Sequence, residues 1–250
     1  MLLISDQQFW TLGSRDRDAM FARLRASYAA SPHRPAALED DALWSRWCDD
    51  VAGQGRNYGA TTLRALAFHA TMRFWFGRGY VDDPCSAWLR DLLLDDGQDV
   101  PVYEALGDLL PAIMEAAVET HEQCCGQRGE RLAQHAVMLG RWCRAAGERP
   151  RTWDRGQALA LAETLLPQRF ESLTADGRRP LLDGAERQAQ AVGLGRHSIM
   201  AHFVAMFAFG IDWARDPLFA TLNGAGKPPT LAALLSRISA QARSWFRGPT

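Results

Sequence analysis

The sequence predicts an all-α protein, an irregular helical bundle that contains one helix–turn–helix unit twice. Apolar residues recur mostly at three- and four-residue spacing along the 250 residues, which is the periodicity of helices packed on one side. Short alternating runs of β-branched residues, which indicate strands, are few. A segment at residues 59–89 also resembles one at residues 193–222. These three observations define the predicted fold class.

Capping and helix-breaking residues divide the first half of the chain into helices. Ser5 begins a first helix with Gln8 in the capping-box position, and the stretch from Pro32 to Pro35 ends it. Glycine at position 77 ends a helix that begins at Thr61 or Thr62. The other helices of this half are predicted at residues 39–57, from Asp83-Pro84 to about Leu94, at 102–123 and at 129–146.

The second half begins after a connector at residues 147–152. Asp154 opens a helix that extends to Leu173, and Pro167 is expected to kink or break it. Further helices are predicted near residues 181–192, 197–209, 217–222 and 231–245. The chain therefore divides into an N-terminal helical half, 1–147, and a C-terminal helical half, 153–250, which we expect to pack as one globular unit.

A shift of 133 residues aligns the two copies of the repeated segment. The identical pairs are His69 with His202, Phe74 with Phe207, Phe76 with Phe209, Gly77 with Gly210, Asp83 with Asp216, Pro84 with Pro217, Ala87 with Ala220 and Leu89 with Leu222. Most of these residue types end helices, start helices or pack in a core, so the repeat predicts architecture. Residues 60–92 and 193–225 should adopt the same shape, with the two histidines packed or hydrogen-bonded inside the fold.

Composition excludes several classes of function. The chain has 28 basic and 29 acidic residues, interspersed, so it lacks the basic surface that binds nucleic acid. Its start has neither the basic region nor the apolar stretch of a secretion signal, which favours a cytoplasmic protein. The most apolar stretch, Ile199 to Ala214, is shorter than a spanning helix and contains His202 and Asp212, so no membrane span is predicted.

Five cysteines in a chain of this length are typical of a reducing compartment, and no structural disulfide is predicted. One alternative is a zinc site, because some histidines and cysteines between residues 121 and 143 lie three or four apart on predicted helices. Their spacings match no established zinc motif, so buried helix cysteines are the favoured interpretation and no cofactor or metal is predicted. The residues considered are His121, Cys124, Cys125, His135 and Cys143.

Motifs of the common enzyme classes are missing from the sequence. It contains no G-x-S-x-G, no G-x-x-x-x-G-K-[ST] and no H-E-x-x-H. The acid pairs Asp40-Asp41, Asp49-Asp50 and Asp95-Asp96 are interpreted as solvated helix ends. No catalytic residue is predicted; a helical enzyme with a dispersed active site remains the alternative.

Several short motifs carry a family resemblance. They are Ile4-Ser5-Asp6-Gln7-Gln8 with Arg23-Leu24, Tyr58-Gly59, Phe76-Gly77 and Asp83-Pro84. The second half of the chain matches the same pattern more loosely, in Gly193, Phe209-Gly210 and Asp216-Pro217. With them the chain resembles small helical accessory proteins encoded beside spike and effector genes in bacterial type VI secretion clusters. The resemblance implies a non-enzymatic protein that binds a cognate toxic effector, as an immunity protein or as an adaptor or co-chaperone that loads the effector onto a spike component.

The nine tryptophans fit a protein-binding function, because tryptophan and arginine anchor many interfaces. Tryptophans at helical spacing, such as Trp44 and Trp47, more often line a core. Trp75 and Trp88 lie where the two copies differ, opposite Ala208 and Thr221. Since duplicated units tend to specialise where they diverge, these two are the predicted partner-binding residues.

Overall fold

The structure is a computed structural model that describes residues 14–30, 36–94, 103–106, 109–126, 130–145, 153–191, 193–194, 196–219 and 230–244. Helices, 3₁₀ turns and their connections make up these residues, and no strand occurs among them. The predicted all-α class is therefore confirmed. The Ser5 cap, the Ile4–Gln8 motif and the connector at 147–152 lie outside the described residues.

Twelve α-helices are present in the described part of the chain. Those of the first half are α1 (Ser14–Ala30), α2 (Asp41–Asn57), α3 (Leu63–Phe76), α4 (Ala87–Leu93), α5 (Tyr103–Leu106), α6 (Leu110–Cys125) and α7 (Glu130–Ala145). Those of the second half are α8 (Arg155–Leu165), α9 (Pro167–Glu171), α10 (Ala175–Ala191), α11 (Arg196–Phe209) and α12 (Leu231–Ser244). Short 3₁₀ helices occupy Ala36–Glu39, Pro84–Ser86, Trp213–Arg215 and Pro217–Phe219.

Side-chain caps explain where several helices begin. The Thr62 hydroxyl accepts a hydrogen bond from the Ala65 amide at 3.2 Å, and the Asp154 carboxylate accepts one from the Gln157 amide at 2.7 Å. At Pro167 the predicted long helix breaks: α8 ends at Leu165, and α9 starts at the proline itself. Threonine, aspartate and proline thus set these boundaries as the sequence indicates.

Several elements differ from the sequence prediction; of the helix expected near 217–222, the described residues form only the 3₁₀ helix Pro217–Phe219. The helix expected from Pro84 to Leu94 starts as a 3₁₀ turn, Pro84–Ser86, before the α-helix proper, and the one expected at 102–123 is two helices, α5 and α6, with Pro111 in the first turn of the second. The helix expected at 181 already begins at Ala175 and contains Pro180. It starts early because Thr174 caps the Gly177 amide, at 3.1 Å from the hydroxyl.

The two halves share one hydrophobic core. A single cluster of buried side chains includes Trp44 and Trp47 from the first half and Phe203 and Phe207 from the second. The most extensive helix–helix packing in the described residues joins α7 of the first half to α12 of the second. The core interpretation of Trp44 and Trp47 is confirmed, since they are 7% and 0% exposed.

Candidate functional site

The repeated glycines meet at the centre of the molecule. Gly77 follows α3 with φ +88°, and Gly210 follows α11 with φ +89°. A Cβ atom on Gly77 would clash with the carbonyl oxygen of Phe209, and one on Gly210 would clash with that of Phe76. The two helix ends therefore approach so closely, and so symmetrically, that only glycine fits at either position.

The repeated Asp-Pro pairs start the next turn in each half. One carboxylate oxygen of Asp83 accepts a hydrogen bond from the Cys85 amide at 2.9 Å, and one of Asp216 accepts from the Leu218 amide at 3.0 Å. Pro84 and Pro217 are the first residues of the 3₁₀ turns that follow. Capping uses only one oxygen of each aspartate, so the second is available for another partner.

Buried arginines occupy these second oxygens, and each comes from the opposite half of the chain. Arg169 pairs with Asp83 at 2.7 Å, and Arg73 pairs with Asp216 at 3.2 Å. All four side chains are at least nine-tenths buried. Two reciprocal ion pairs thus join the halves. The sequence contains no sign of this, because position 206, which aligns with Arg73, is a methionine.

Arg73 also pairs with Asp50 at 2.8 Å, and Asp50 binds Arg78 at 2.9 Å. The interpretation of Asp49-Asp50 as a solvated helix end is therefore wrong for Asp50, which lies inside α2 and faces two arginines. Burial raises the pKa of Asp50, but the hydrogen bonds from Arg78 and the charge of Arg73 outweigh it and lower the pKa overall. Burial instead raises the pKa of Asp216, because Arg73 only partly offsets the loss of water.

The repeated histidines lie in similar surroundings. His69 is fully buried, with Nδ1 at 2.8 Å from the Tyr80 hydroxyl and 2.9 Å from the Tyr103 hydroxyl. His202 is 3% exposed and packs against Trp213, which aligns with Tyr80 in the repeat. Burial lowers the pKa of both rings, to about 4 for His202. Both are therefore neutral at pH 7 and belong to the interior.

The neutral histidines predict a loss of stability in mild acid. The folded-state pKa of His202 is about 4, below the 6.5 of an exposed histidine, so the unfolded chain binds the proton first as pH falls. Stability should drop by about 2 kcal/mol between pH 7.5 and pH 5 from this ring alone. We expect urea unfolding of His202→Leu to show a correspondingly smaller loss over this range. An identical pH profile in the variant and the parent would contradict this origin.

The predicted partner-binding tryptophans are half-buried against the core. Trp75 packs edge-on against Phe74 and His121, with ring centroids 5.5 Å and 5.0 Å apart. Trp88 lies on α4, also packed on the core cluster. Neither lines the two cavities described next, and their binding role stays a prediction. Superposition of 60–92 on 193–225 also stays a prediction, because 220–225 lie outside the described residues.

One cavity lies between α1 and α2 and measures about 550 Å³. Two arginines are present in its described lining: Arg25 donates to the Leu38 carbonyl at 2.6 Å and to Asp41 at 2.7 Å, and Arg17 pairs with Asp18 at 3.6 Å. Its thiol, Cys48, has a pKa that burial raises to about 12, so it stays protonated at neutral pH. The rim is thus committed to internal contacts.

The other cavity is an apolar groove of about 520 Å³ between α7 and α8. Met138 and Trp142 form one edge and are 55% and 46% exposed. Leu161 and Met200 are buried beneath it, and Met200 comes from α11. We call this feature the α7–α8 groove; among the described residues its lining is Met138, Leu139, Trp142, Gln157, Ala160, Leu161, Thr164 and Met200. Large apolar side chains exposed together at a concave surface are typical of protein-binding sites.

The sequence analysis did not identify this groove. The only available signal was that Met138 and Trp142 lie four residues apart on α7, beside the core-facing Leu139 and Leu132. They make the apolar stripe of α7 wider than a single buried face requires. From periodicity alone such a stripe cannot be distinguished from an ordinary core face.

The cysteines and other metal-ligating residues form neither a disulfide nor a metal cluster in the described part of the chain. All five cysteines are free thiols. In the described part of the chain, no cluster of three or more histidine, cysteine, aspartate or glutamate side chains is arranged to hold a metal ion. A search of the same residues finds no helix with the length and hydropathy needed to cross a bilayer.

Comparison with protein-family models, with curated proteins and with solved structures gives no match to this chain.

Proposed function

We propose that this chain is a non-enzymatic protein-binding protein of a bacterial type VI secretion cluster, and that it binds the cognate toxic effector. The α7–α8 groove is the observation that carries the proposal. The described residues of its lining carry no charge, and they expose a methionine and a tryptophan side by side. Methionine adapts its shape to a partner, and tryptophan buries a large area at little entropic cost, so both suit protein recognition.

The interior contacts support a binding function in a second way. Two buried ion pairs and the glycine contact join the halves, and the groove takes α7 from the first half and α8 and α11 from the second. A surface built across joined halves is held in one geometry before the partner arrives. Such preorganisation reduces the entropy lost on binding.

Two roles fit such a protein: an immunity protein, which neutralises the effector in the producing cell, and an adaptor or co-chaperone, which loads it onto the spike. Deletion of the gene separates them. Growth inhibition that appears only while the effector is active indicates immunity, whereas healthy cells that no longer export the effector indicate an adaptor. If the chain, purified from its native cluster, carries neither effector nor spike component, the proposed function is wrong.

A further inference from the structure

The shape of the α7–α8 groove limits what it can hold. The His135 ring nitrogen Nδ1 donates to the Leu165 carbonyl near one end, and Trp142 and Gln157 line the other, so the two walls run antiparallel. From Gln157 to Thr164 the wall of α8 extends for about 10 Å, which is close to two helical turns. The groove is therefore long enough to hold about two turns of a helix.

The chemistry of the lining further limits which kind of partner segment can fit the groove. Floor residues Leu139, Leu161 and Met200 are buried and apolar, and the polar side chains Gln157 and Thr164 lie on the rim of α8. An amphipathic helix places apolar side chains at i, i+3 or i+4, and i+7, which spans two turns. These anchors match the length of the groove, and the flexible Met138 can adjust to them.

Charged side chains beside the groove indicate which edge of a bound amphipathic helix would be acidic. On α7, Arg131 lies two turns before Met138 on the same helix face, and Arg141 lies on its outer flank; both are exposed. One guanidinium nitrogen of Arg131 donates a hydrogen bond to the Gln123 carbonyl. Arg141 forms no ion pair within the described residues. On α8 the only charged side chain left without an ion-pair partner among the described residues is the exposed Glu163, on the opposite flank. Among the side chains that the structure describes, those at the α7 edge are therefore basic.

We propose that the α7–α8 groove binds an amphipathic helix of a partner protein, about two turns long, whose acidic edge lies over α7. The inference rests on the proposed function and gives its partner a chemical description. Apolar anchors fill the groove above Leu161 and Met200, while carboxylates pair with Arg131 and Arg141. The charge pattern fixes the orientation of the helix and speeds association, and the apolar contacts supply most of the affinity.

A displayed library of helix-biased peptides of about 16 residues tests this without the natural partner. Selection on the full chain should enrich apolar residues at i, i+3 or i+4, and i+7, with an excess of Asp and Glu. Met138→Glu should weaken the selected peptides about tenfold or more, because it places a charge in the apolar groove. Leu109→Glu is the matched control, since Leu109 is 60% exposed and lies outside the groove. Its peptide affinity should equal that of the parent.

Charge reversal at the rim tests the polarity separately. Arg131→Glu together with Arg141→Glu should weaken the acidic peptides and reduce their salt dependence, whereas Glu163→Gln should leave affinity unchanged or improve it. The inference is overturned if no peptide is enriched, if the enriched peptides are basic or lack helical spacing, or if Met138→Glu binds them as the parent does. A dimer of this chain that Met138→Glu dissociates would also overturn it, because the groove would then hold a second copy.

The two proposals fail in different ways. If the peptides behave as expected but no effector or spike component is recovered with the chain, the groove inference stands and the proposed function is wrong. If the effector binds Met138→Glu as tightly as it binds the parent, the function stands and the groove inference is wrong.

Discussion

Replacing Gly77 by alanine is expected to destabilise the fold by at least about 4 kcal/mol, near the upper end of single-residue effects. Two costs add together. Gly77 has φ +88° and ψ 176°, a conformation that is essentially restricted to glycine. A Cβ atom there would also overlap the carbonyl oxygen of Phe209, and backbone on the opposite helix cannot move aside as a side chain can. Urea unfolding followed by circular dichroism measures the loss.

Gly193→Ala is the matched control for this prediction. Gly193 also has positive φ, +72°, but a Cβ atom there would meet nothing within 4 Å. Only the backbone strain remains, so we expect a loss of about 1–2 kcal/mol. Gly210→Ala should behave like Gly77→Ala, because its Cβ would clash with the carbonyl oxygen of Phe76. Equal effects at 77 and 193 would show that the two glycine loops do not touch.

The second large effect is expected from Asp83→Asn, at about 3–5 kcal/mol. Asparagine keeps an oxygen that can accept the Cys85 amide, so the helix cap survives while the charge is lost. Arg169 then remains buried with no other ion-pair partner among the described residues. A buried charge without a partner is strongly unfavourable, and this cost explains the large loss of stability expected for Asp83→Asn.

Two further variants calibrate this measurement. Asp216→Asn should reduce the free energy of unfolding less than Asp83→Asn does, because Arg73 still forms its ion pair with Asp50 at 2.8 Å. Asp41→Asn should cost less than about 1 kcal/mol, since Asp41 is 92% exposed and its pairing with Arg25 is screened by water. If Asp83→Asn proves as mild as Asp41→Asn, the pair between Arg169 and Asp83 does not hold the halves together.

Local chemistry made much of the fold predictable from sequence. Thr62 and Asp154 cap the starts of α3 and α8, and Gly77 and Gly210 follow the ends of α3 and α11. Pro167 separates α8 from α9. Each of these residue types acts on the backbone beside it, so its effect can be predicted from sequence. The helix expected near 181 begins earlier, at Ala175, and contains Pro180. A proline near the start of a helix removes only one backbone hydrogen bond, and the Thr174 cap lies before it.

The contacts between the halves were not predictable in this way. Arg73 and Arg169 are not equivalent positions in the repeat, and nothing near them in sequence shows that each pairs with an aspartate of the other half. Asp50 was misassigned because its partners Arg73 and Arg78 lie on another helix and the loop after it. Pairings over such distances depend on the packing of the whole chain, which local patterns do not encode.

The α7–α8 groove connects these interior contacts to function. The helix α11 contributes Met200 to the floor of the groove near its start and contacts the Gly77 loop at its other end. Function, however, is tested most directly at the surface itself.

The decisive measurement is the affinity of the purified chain for the effector proposed as its partner, by titration calorimetry, with Met138→Glu and Leu109→Glu in parallel. Both changes place a carboxylate at an exposed apolar position, so neither should alter stability by more than about 0.5 kcal/mol. We expect saturable binding that Met138→Glu weakens about tenfold or more and Leu109→Glu leaves unchanged. No binding by the parent, or equal binding by the parent and Met138→Glu, would contradict a partner seated in the α7–α8 groove.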